Sequence, residues 1–248
     1  MPEPVAGALA RYLNKLEARR EVRGVALAGS WARGRGGPRS DVDLLVVTSG
    51  DVFVRAAEWV DGVEVQVMEG PPAWFRKAFG ERRVASVQRM MAECLPLWDP
   101  DGLVEKLRTV AAGDVARGPD PPDPVAVRRA RFRVTESLDD LVDLASDPRP
   151  DPGATALARA ELLADLLDAF WLTRHRWPEK AKYALEAVRT TDPKTAEKLA
   201  RLALSPGDDP TDLEPMLATA AAAADAVLGP VGGLLRKSWS LPPEPVEA

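Results

Sequence analysis

The segment from residue 24 to residue 48 joins two apolar stretches through a glycine-rich loop, and it constrains the fold more than any other part of the chain. The stretches 24–28 and 43–48 consist mostly of small and branched apolar residues, as expected for buried strands. Because side chains two positions apart on a strand point the same way, Asp41 and Asp43 are predicted to project together from the start of the second strand. Two adjacent carboxylates repel each other unless a hard cation lies between them, so this pair predicts a metal site.

The loop between the two strands supplies groups that bind an anion. Its glycines let the main chain approach a ligand closely, and its serines add hydroxyl donors; these residues are Gly29, Ser30, Gly34, Gly36, Gly37 and Ser40. Mg²⁺ takes one or two protein carboxylates and completes its coordination shell with water and substrate phosphates. The predicted chemistry is therefore an in-line displacement at a metal-bound nucleoside triphosphate.

This pattern resembles the signature of the nucleotidyltransferase superfamily that includes DNA polymerase beta. That signature is an apolar strand, Gly-Ser, a loop, and Asp-x-Asp within a second strand, and it falls here on Gly29, Ser30, Asp41 and Asp43. The resemblance implies an α/β (α+β) nucleotidyltransferase domain with a small mixed sheet. It also implies a metal-dependent enzyme that uses a nucleoside triphosphate, with ATP and two Mg²⁺ ions expected. Ser30, Ser40 and Gly29 are the expected nucleotide-binding residues of this domain.

A third carboxylate is expected on a β-hairpin that follows the second strand. The dipeptide Asp61-Gly62 is typical of a type I′ hairpin turn, and the arm after it alternates between apolar and polar residues. That arm carries Glu64, which the resemblance makes a metal ligand or the general base. Glu58 and Glu69 are nearby rivals for this role. The alternative interpretation is that Glu64 faces solvent on an exposed arm.

Composition excludes several other classes of protein. A hydrophobic content of 46% and a charged content of 29% are typical of a globular protein, and the net charge of −5 argues against a general nucleic-acid binder. The chain has one cysteine, Cys94, and one histidine, His175, which argues against a zinc cluster. No stretch approaches the roughly 20 apolar residues that cross a bilayer, and no signal peptide is visible, so we expect a cytoplasmic protein without a membrane partner.

A proline-rich linker at 118–123 divides the chain into two predicted domains. We predict a catalytic domain at 1–117, a helical substrate-binding domain at 124–228 and an irregular tail at 229–248. An α/β domain followed by an all-α helical bundle resembles the aminoglycoside-type, small-molecule nucleotidyltransferases. In that group the helical domain lines the acceptor side of the cleft and can form a homodimer.

A basic and aromatic cluster between two predicted helices is the main candidate site in the second domain. The resemblance implies that a lysine from this domain reaches the triphosphate, and Lys182 is our candidate, with Lys180 as the alternative. The competing interpretation is that Trp171 and Trp177 pack in the core while the charges face solvent. His175 is more typical of a helix end than of a catalytic residue.

Two glutamates on predicted helices are alternative candidates for the general base. Glu136 and Glu161 both lie beside apolar neighbours, and burial would raise the pKa of such a carboxylate toward neutrality. Either could instead form an ion pair with Arg133 or Arg159. Together with Glu64, they leave the identity of the base open.

The leading hypothesis is an enzyme that transfers AMP from ATP to a hydroxyl of a small polar acceptor, of which an aminoglycoside-like antibiotic is one example. The basic cluster at 174–182 is evidence against a cationic acceptor. One alternative is an antitoxin-type transferase that attaches AMP to a partner protein. Another is a non-catalytic nucleotide-binding or partner-binding module, against which the intact signature argues.

Overall fold

The computed structural model describes residues 1–79, 85–147, 149, 151–206 and 210–229. The chain divides into two compact units, Met1–Pro119 and Asp120–Ala248, so that the division falls inside the proline-rich segment. The first unit is a mixed sheet covered by helices and the second is helical, which confirms the predicted fold class. The predicted tail lies outside the described residues except for its first residue, Gly229.

The first unit contains a sheet of five strands in its described part, in the order β3-β4-β2-β1-β5. The elements run along the chain as α1 (Glu3–Glu17), β1 (Val22–Ala28), α2 (Gly29–Ala32), β2 (Val42–Thr48), β3 (Val54–Val60), β4 (Val63–Gly70), α3 (Pro72–Phe79), α4 (Ala85–Ala92), β5 (Leu95–Trp98) and α5 (Leu103–Arg117). β2 and β4 are parallel, whereas the other neighbours are antiparallel. The sheet is therefore mixed, as predicted.

The central strands consist almost entirely of apolar residues, and both of their faces are therefore buried. On one face the strands pack against α1, through Val25, Leu27, Leu44, Val46, Val65, Val67 and the helix residues Val5, Tyr12 and Leu16. On the opposite face they pack against α3, α4 and α5, through Ala26, Ala28, Leu45, Val47, Met68, Phe75, Phe79, Met91 and Leu107. We refer to these as the α1 face and the α3–α5 face.

The predicted β-hairpin is confirmed as the pair β3 and β4. Asp61 and Gly62 have φ angles of 49° and 78°, and a type I′ turn requires positive φ at both central residues. Val60 pairs with Val63 directly across this turn. The turn thereby sets the register of the whole hairpin, including the residue that pairs with Glu64.

The second unit consists, in its described part, of the helices α6 (Pro124–Ser146), α7 (Pro152–Thr173), α8 (Ala181–Thr191), α9 (Pro193–Leu204) and α10 (Pro210–Leu228). Three of them begin with an Asp-Pro pair whose aspartate accepts main-chain hydrogen bonds as the N-cap: Asp123, Asp151 and Asp192. The helix α7 ends at Thr173, two residues before His175, which takes a left-handed φ of 53°. No described helix has the length and apolar character needed to cross a bilayer.

Candidate active site

Strand register brings the predicted carboxylates to one face of the sheet. Asp43 on β2 pairs with Ala28 on β1 and with Gln66 on β4, so these three side chains share the α3–α5 face. Glu64 lies two residues before Gln66 and therefore points to the same face. Asp41 comes directly before β2, two residues before Asp43, and therefore lies at the same end of the sheet as Glu64. All three predicted carboxylates are thus found at one end of the sheet.

The three carboxylates lie at the edge of the area on the α3–α5 face that the helices cover. The helices α3, α4 and α5 bury the α3–α5 face from Leu45 and Met68 onward. Asp41, Asp43 and Glu64 are only partly buried. The carboxylates consequently remain accessible to a ligand while the strands that carry them are held by the core.

The structure separates Glu64 from its two rivals. Glu58 forms an ion pair with Lys15 at 2.8 Å, and Glu69 accepts two hydrogen bonds from the Arg19 guanidinium at 2.6 and 2.8 Å. Both glutamates point to the α1 face, because their register positions alternate with that of Glu64. Glu64 is therefore the glutamate of this hairpin that shares a face with the aspartates.

Gln66 is the polar neighbour that Asp43 and Glu64 share. It stands directly opposite Asp43, and its Nε2 donates a hydrogen bond to Glu64 Oε1 at 3.2 Å. In the described ranges, no three His, Cys, Asp or Glu side chains are grouped closely enough to hold a metal ion. Asp41, Asp43 and Glu64 as a joint ligand set therefore stay a prediction. Gln66 is not among the predicted site residues, since the candidates on this hairpin were all carboxylates.

The turn after β1 contacts Asp43 directly. Gly29 has a φ of 65°, and a Cβ placed on it would lie 1.8 Å from Asp43 Oδ2. Next to it, the Ser30 hydroxyl is buried and has no hydrogen-bond partner in the part of the chain that the structure describes. A buried polar group without a partner costs on the order of 1–3 kcal/mol. A close glycine and an unsatisfied hydroxyl beside a carboxylate fit a ligand that carries both phosphate oxygens and a divalent cation.

The loop that leads to Asp41 is organised by Trp31, which the sequence analysis did not single out. Gly36 lies against the indole, since a Cβ there would be 2.2 Å from ring carbons. The indole Nε1 donates to the Ser40 carbonyl at 3.4 Å, and the Gly37 amide donates to Ser40 Oγ at 3.0 Å. The Ser40 hydroxyl thus helps to close the loop, and its role in nucleotide binding stays a prediction. A tryptophan directly before a glycine-rich loop was the available signal.

In the second unit, the basic and aromatic cluster separates into packing residues and exposed charges. Trp171 and Trp177 are buried, which confirms the packing interpretation for both. Arg174 donates hydrogen bonds to main-chain carbonyls at the end of α10 and therefore caps that helix. Lys182 is exposed near the start of α8, with its Nζ 4.9 Å from the centroid of the Tyr183 ring. Its role as a triphosphate ligand stays a prediction.

Glu136 and Glu161 are exposed, so the expectation that their carboxylates are buried is wrong. Their apolar sequence neighbours point into the helical core, whereas the two glutamates lie on the solvent side of α6 and α7. Arg133 pairs with Asp165 at 3.4 Å, and not with either glutamate. Burial therefore provides no reason to choose either residue as the general base.

The same two helices form an acidic groove. Its volume is about 580 Å³, and its lining consists of five carboxylates, one hydroxyl and one guanidinium: Glu136, Asp139, Asp140, Glu161, Asp165, Ser137 and Arg133. The pKa of Asp139 is raised, first by partial burial and then by the carboxylates of Asp143 and Asp140. Like charges crowd this groove, so a positively charged molecule would relieve their repulsion.

Comparison with known proteins identifies a family for part of the first unit. Residues 9–86 match the family model described as the nucleotidyltransferase domain. The structure resembles the crystal structure of a nucleotidyltransferase-like protein from Exiguobacterium sibiricum 255-15, with a TM-score of 0.50 and 16% sequence identity. The alignment covers 93% of this chain and 78% of that chain, and at this identity it concerns the fold alone. No curated protein sequence matches the chain.

Proposed function

We propose, from the membership of this N-terminal domain in the nucleotidyltransferase superfamily, that the protein transfers AMP from ATP to a hydroxyl of a small polar acceptor. The observation that carries the proposal is the arrangement of Gly29, Ser30 and Asp43 at the turn after β1. There the main chain of Gly29 lies against the Asp43 carboxylate, and the next residue, Ser30, carries a hydroxyl without a partner in the described part of the chain. A metal-bound polyphosphate would use all three groups.

Each residue of the site would have a different role in an in-line displacement. Asp41 and Asp43 would hold two Mg²⁺ ions, which neutralise phosphate charge when bound. Ser30 and the main chain at Gly29 would position the triphosphate. The acceptor oxygen forms a bond to the α-phosphorus as the bond to pyrophosphate breaks. Glu64 would complete the metal site or accept the proton that the acceptor hydroxyl loses.

The acidic groove in the second unit favours a cationic ligand, and an aminoglycoside-like acceptor would carry such a charge. Its carboxylates outnumber its single arginine, and Arg133 is already paired with Asp165. By its composition, the basic cluster at 174–182 disfavours such an acceptor. However, Arg174 donates to carbonyl groups at the end of α10, and the partial negative charge of that helix end offsets part of its positive charge.

Calorimetric titration with each nucleoside triphosphate, with and without Mg²⁺, tests the proposal. We expect ATP to bind with micromolar affinity in the presence of Mg²⁺ and much more weakly in its absence. The same titration with the other triphosphates identifies the base preference. If no triphosphate binds in the presence of Mg²⁺, the proposal is wrong.

Replacing Ser30 by alanine should weaken the binding of Mg·ATP about tenfold without lowering stability. The reason is that the Ser30 hydroxyl makes no hydrogen bond within the described chain, so its removal breaks none in the free protein. Calorimetry and thermal unfolding measure the two effects.

Ser137→Ala is the matched control for Ser30→Ala. The buried Ser137 hydroxyl donates to Asp165 Oδ2 at 2.7 Å, so this variant should lose about 1 kcal/mol of stability. It should bind Mg·ATP like the parent protein. A Ser30→Ala variant with unchanged affinity for Mg·ATP would remove Ser30 from the nucleotide site.

A further inference from the structure

Trp59 is an exposed aromatic side chain on the edge strand of the sheet. It leaves 71% of its surface accessible, although an indole gains more than most side chains from being covered. Among the described strands, β3 stands at the end of the strand order and pairs with β4 alone. The exposed ring therefore lies on a part of the sheet where a ligand can reach it.

Register places Trp59 beside the predicted catalytic carboxylate. Trp59 pairs directly with Glu64 in the antiparallel ladder, and Ala57 pairs with Gln66. Side chains at paired positions share a face, with their Cβ atoms about 4.5–5.5 Å apart. The indole therefore lies next to Glu64 on the α3–α5 face, and the small side chain of Ala57 leaves the space beside the ring open.

The order of the strands places Trp59 at the end of the sheet that lies opposite to Gly29. Crossing the sheet from β1 to β3, one meets Gly29 after β1, Asp43 on β2, Glu64 on β4 and finally Trp59 on β3. In the proposed function the phosphates lie at the Gly29 end. An in-line displacement keeps the attacking oxygen and the leaving pyrophosphate on opposite sides of the phosphorus. The acceptor must then approach from the β3 end, past Glu64.

We infer that Trp59 is the platform on which a ring of the acceptor lies, so that the acceptor hydroxyl is held beside Glu64. This inference rests on the proposed function and adds a specificity-determining residue to it. The face of an indole attracts a nearby ammonium group through its quadrupole and covers the apolar side of a ring. The acceptor that fits best is a saturated ring bearing both hydroxyl and ammonium groups, as in an aminocyclitol.

The test compares Trp59→Ala with Trp59→Phe, using Mg·ATP and kanamycin as separate probes in calorimetry. In Trp59→Ala we expect the affinity for kanamycin to fall about tenfold, an effect typical of a lost cation–π contact together with its covered surface. Trp59→Phe should keep most of that affinity because it keeps an aromatic face. Both variants should bind Mg·ATP like the parent protein.

Val54→Ala is the matched control. Val54 is an exposed apolar residue of the same strand, but its register position alternates with that of Trp59, so it points to the α1 face. This variant should bind kanamycin normally. Circular dichroism and sedimentation of all variants establish that fold and oligomeric state are unchanged.

Several outcomes would overturn the inference. Unchanged affinity for kanamycin in Trp59→Ala, or no binding of kanamycin by the parent protein, would show that Trp59 does not hold such a ring. Weakened binding of Mg·ATP would place Trp59 at the nucleotide base, and a change in oligomeric state would place it between two copies of the chain. Failure of the proposed function is a separate result, because the parent protein would then bind no Mg·ATP.

Discussion

Asp43→Asn is expected to reduce nucleotidyl transfer about a thousandfold or more while the protein stays folded. Asparagine has nearly the same shape as aspartate, so the contact with Gly29 and the pairing of β2 are retained. The variant loses the negative charge that would hold Mg²⁺ against the phosphates. Release of pyrophosphate from ATP in the presence of kanamycin measures the transfer, and calorimetry measures the Mg²⁺-dependent binding of ATP.

Asp51→Asn provides the control for this charge change. Asp51 is exposed and follows β2 at the end opposite to Asp43, so its neutralisation alters the net charge equally without touching the site. This variant should retain full transfer and normal ATP binding. Unchanged turnover in Asp43→Asn would show that the chemistry does not depend on this carboxylate, and the mechanism would have to be abandoned.

Gly29→Ala should impair the protein in two ways that can be measured separately. The left-handed φ of 65° costs alanine about 1 kcal/mol, which lowers the thermal midpoint. In addition, the new Cβ would lie 1.8 Å from Asp43 Oδ2, so the carboxylate must move. Displacing a catalytic group by about 1 Å typically costs about a hundredfold in rate, and we expect a loss of transfer of that size.

Gly102→Ala separates these two effects. Gly102 has the same φ of 65°, but no atom lies within 4 Å of the position where its Cβ would be. Its neighbour Asp101 pairs with Arg23 at the start of β1, whereas Gly29 follows the other end of that strand. The control variant should lose similar stability but retain transfer. If both glycine variants kept full activity, Gly29 would be only a turn residue and the proposed cradle would be wrong.

The local patterns predicted the strands and the hairpin that carry the candidate site residues. Alternation and apolar runs depend on which side of a single strand is buried, so they identified the strands around Asp41 and Asp43 and the hairpin that carries Glu64. The starts of α6, α7 and α9 are equally local features, because the aspartate of each Asp-Pro pair caps its helix with its own side chain.

Register and packing decided what those patterns left open. The placement of Glu64, rather than Glu58 or Glu69, on the face of the aspartates depends on the pairing of β2 with β4. On the opposite face, Lys15 of α1 and Arg19 beyond its end pair with the other two glutamates. For Gln66 and Trp59, proximity to the carboxylates likewise depends on which residues are paired across strands. These pairings join residues far apart along the chain.

The sequence by itself therefore determined which strands and helices form and where the hairpin turns. Only the tertiary structure decided which side chains share a face, because a shift of one residue between strands would move every side chain of the shifted strand to the opposite face. The acidic groove has the same origin. It combines residues of α6 and α7, two helices whose relative placement comes from their shared apolar core rather than from the pattern of either helix alone.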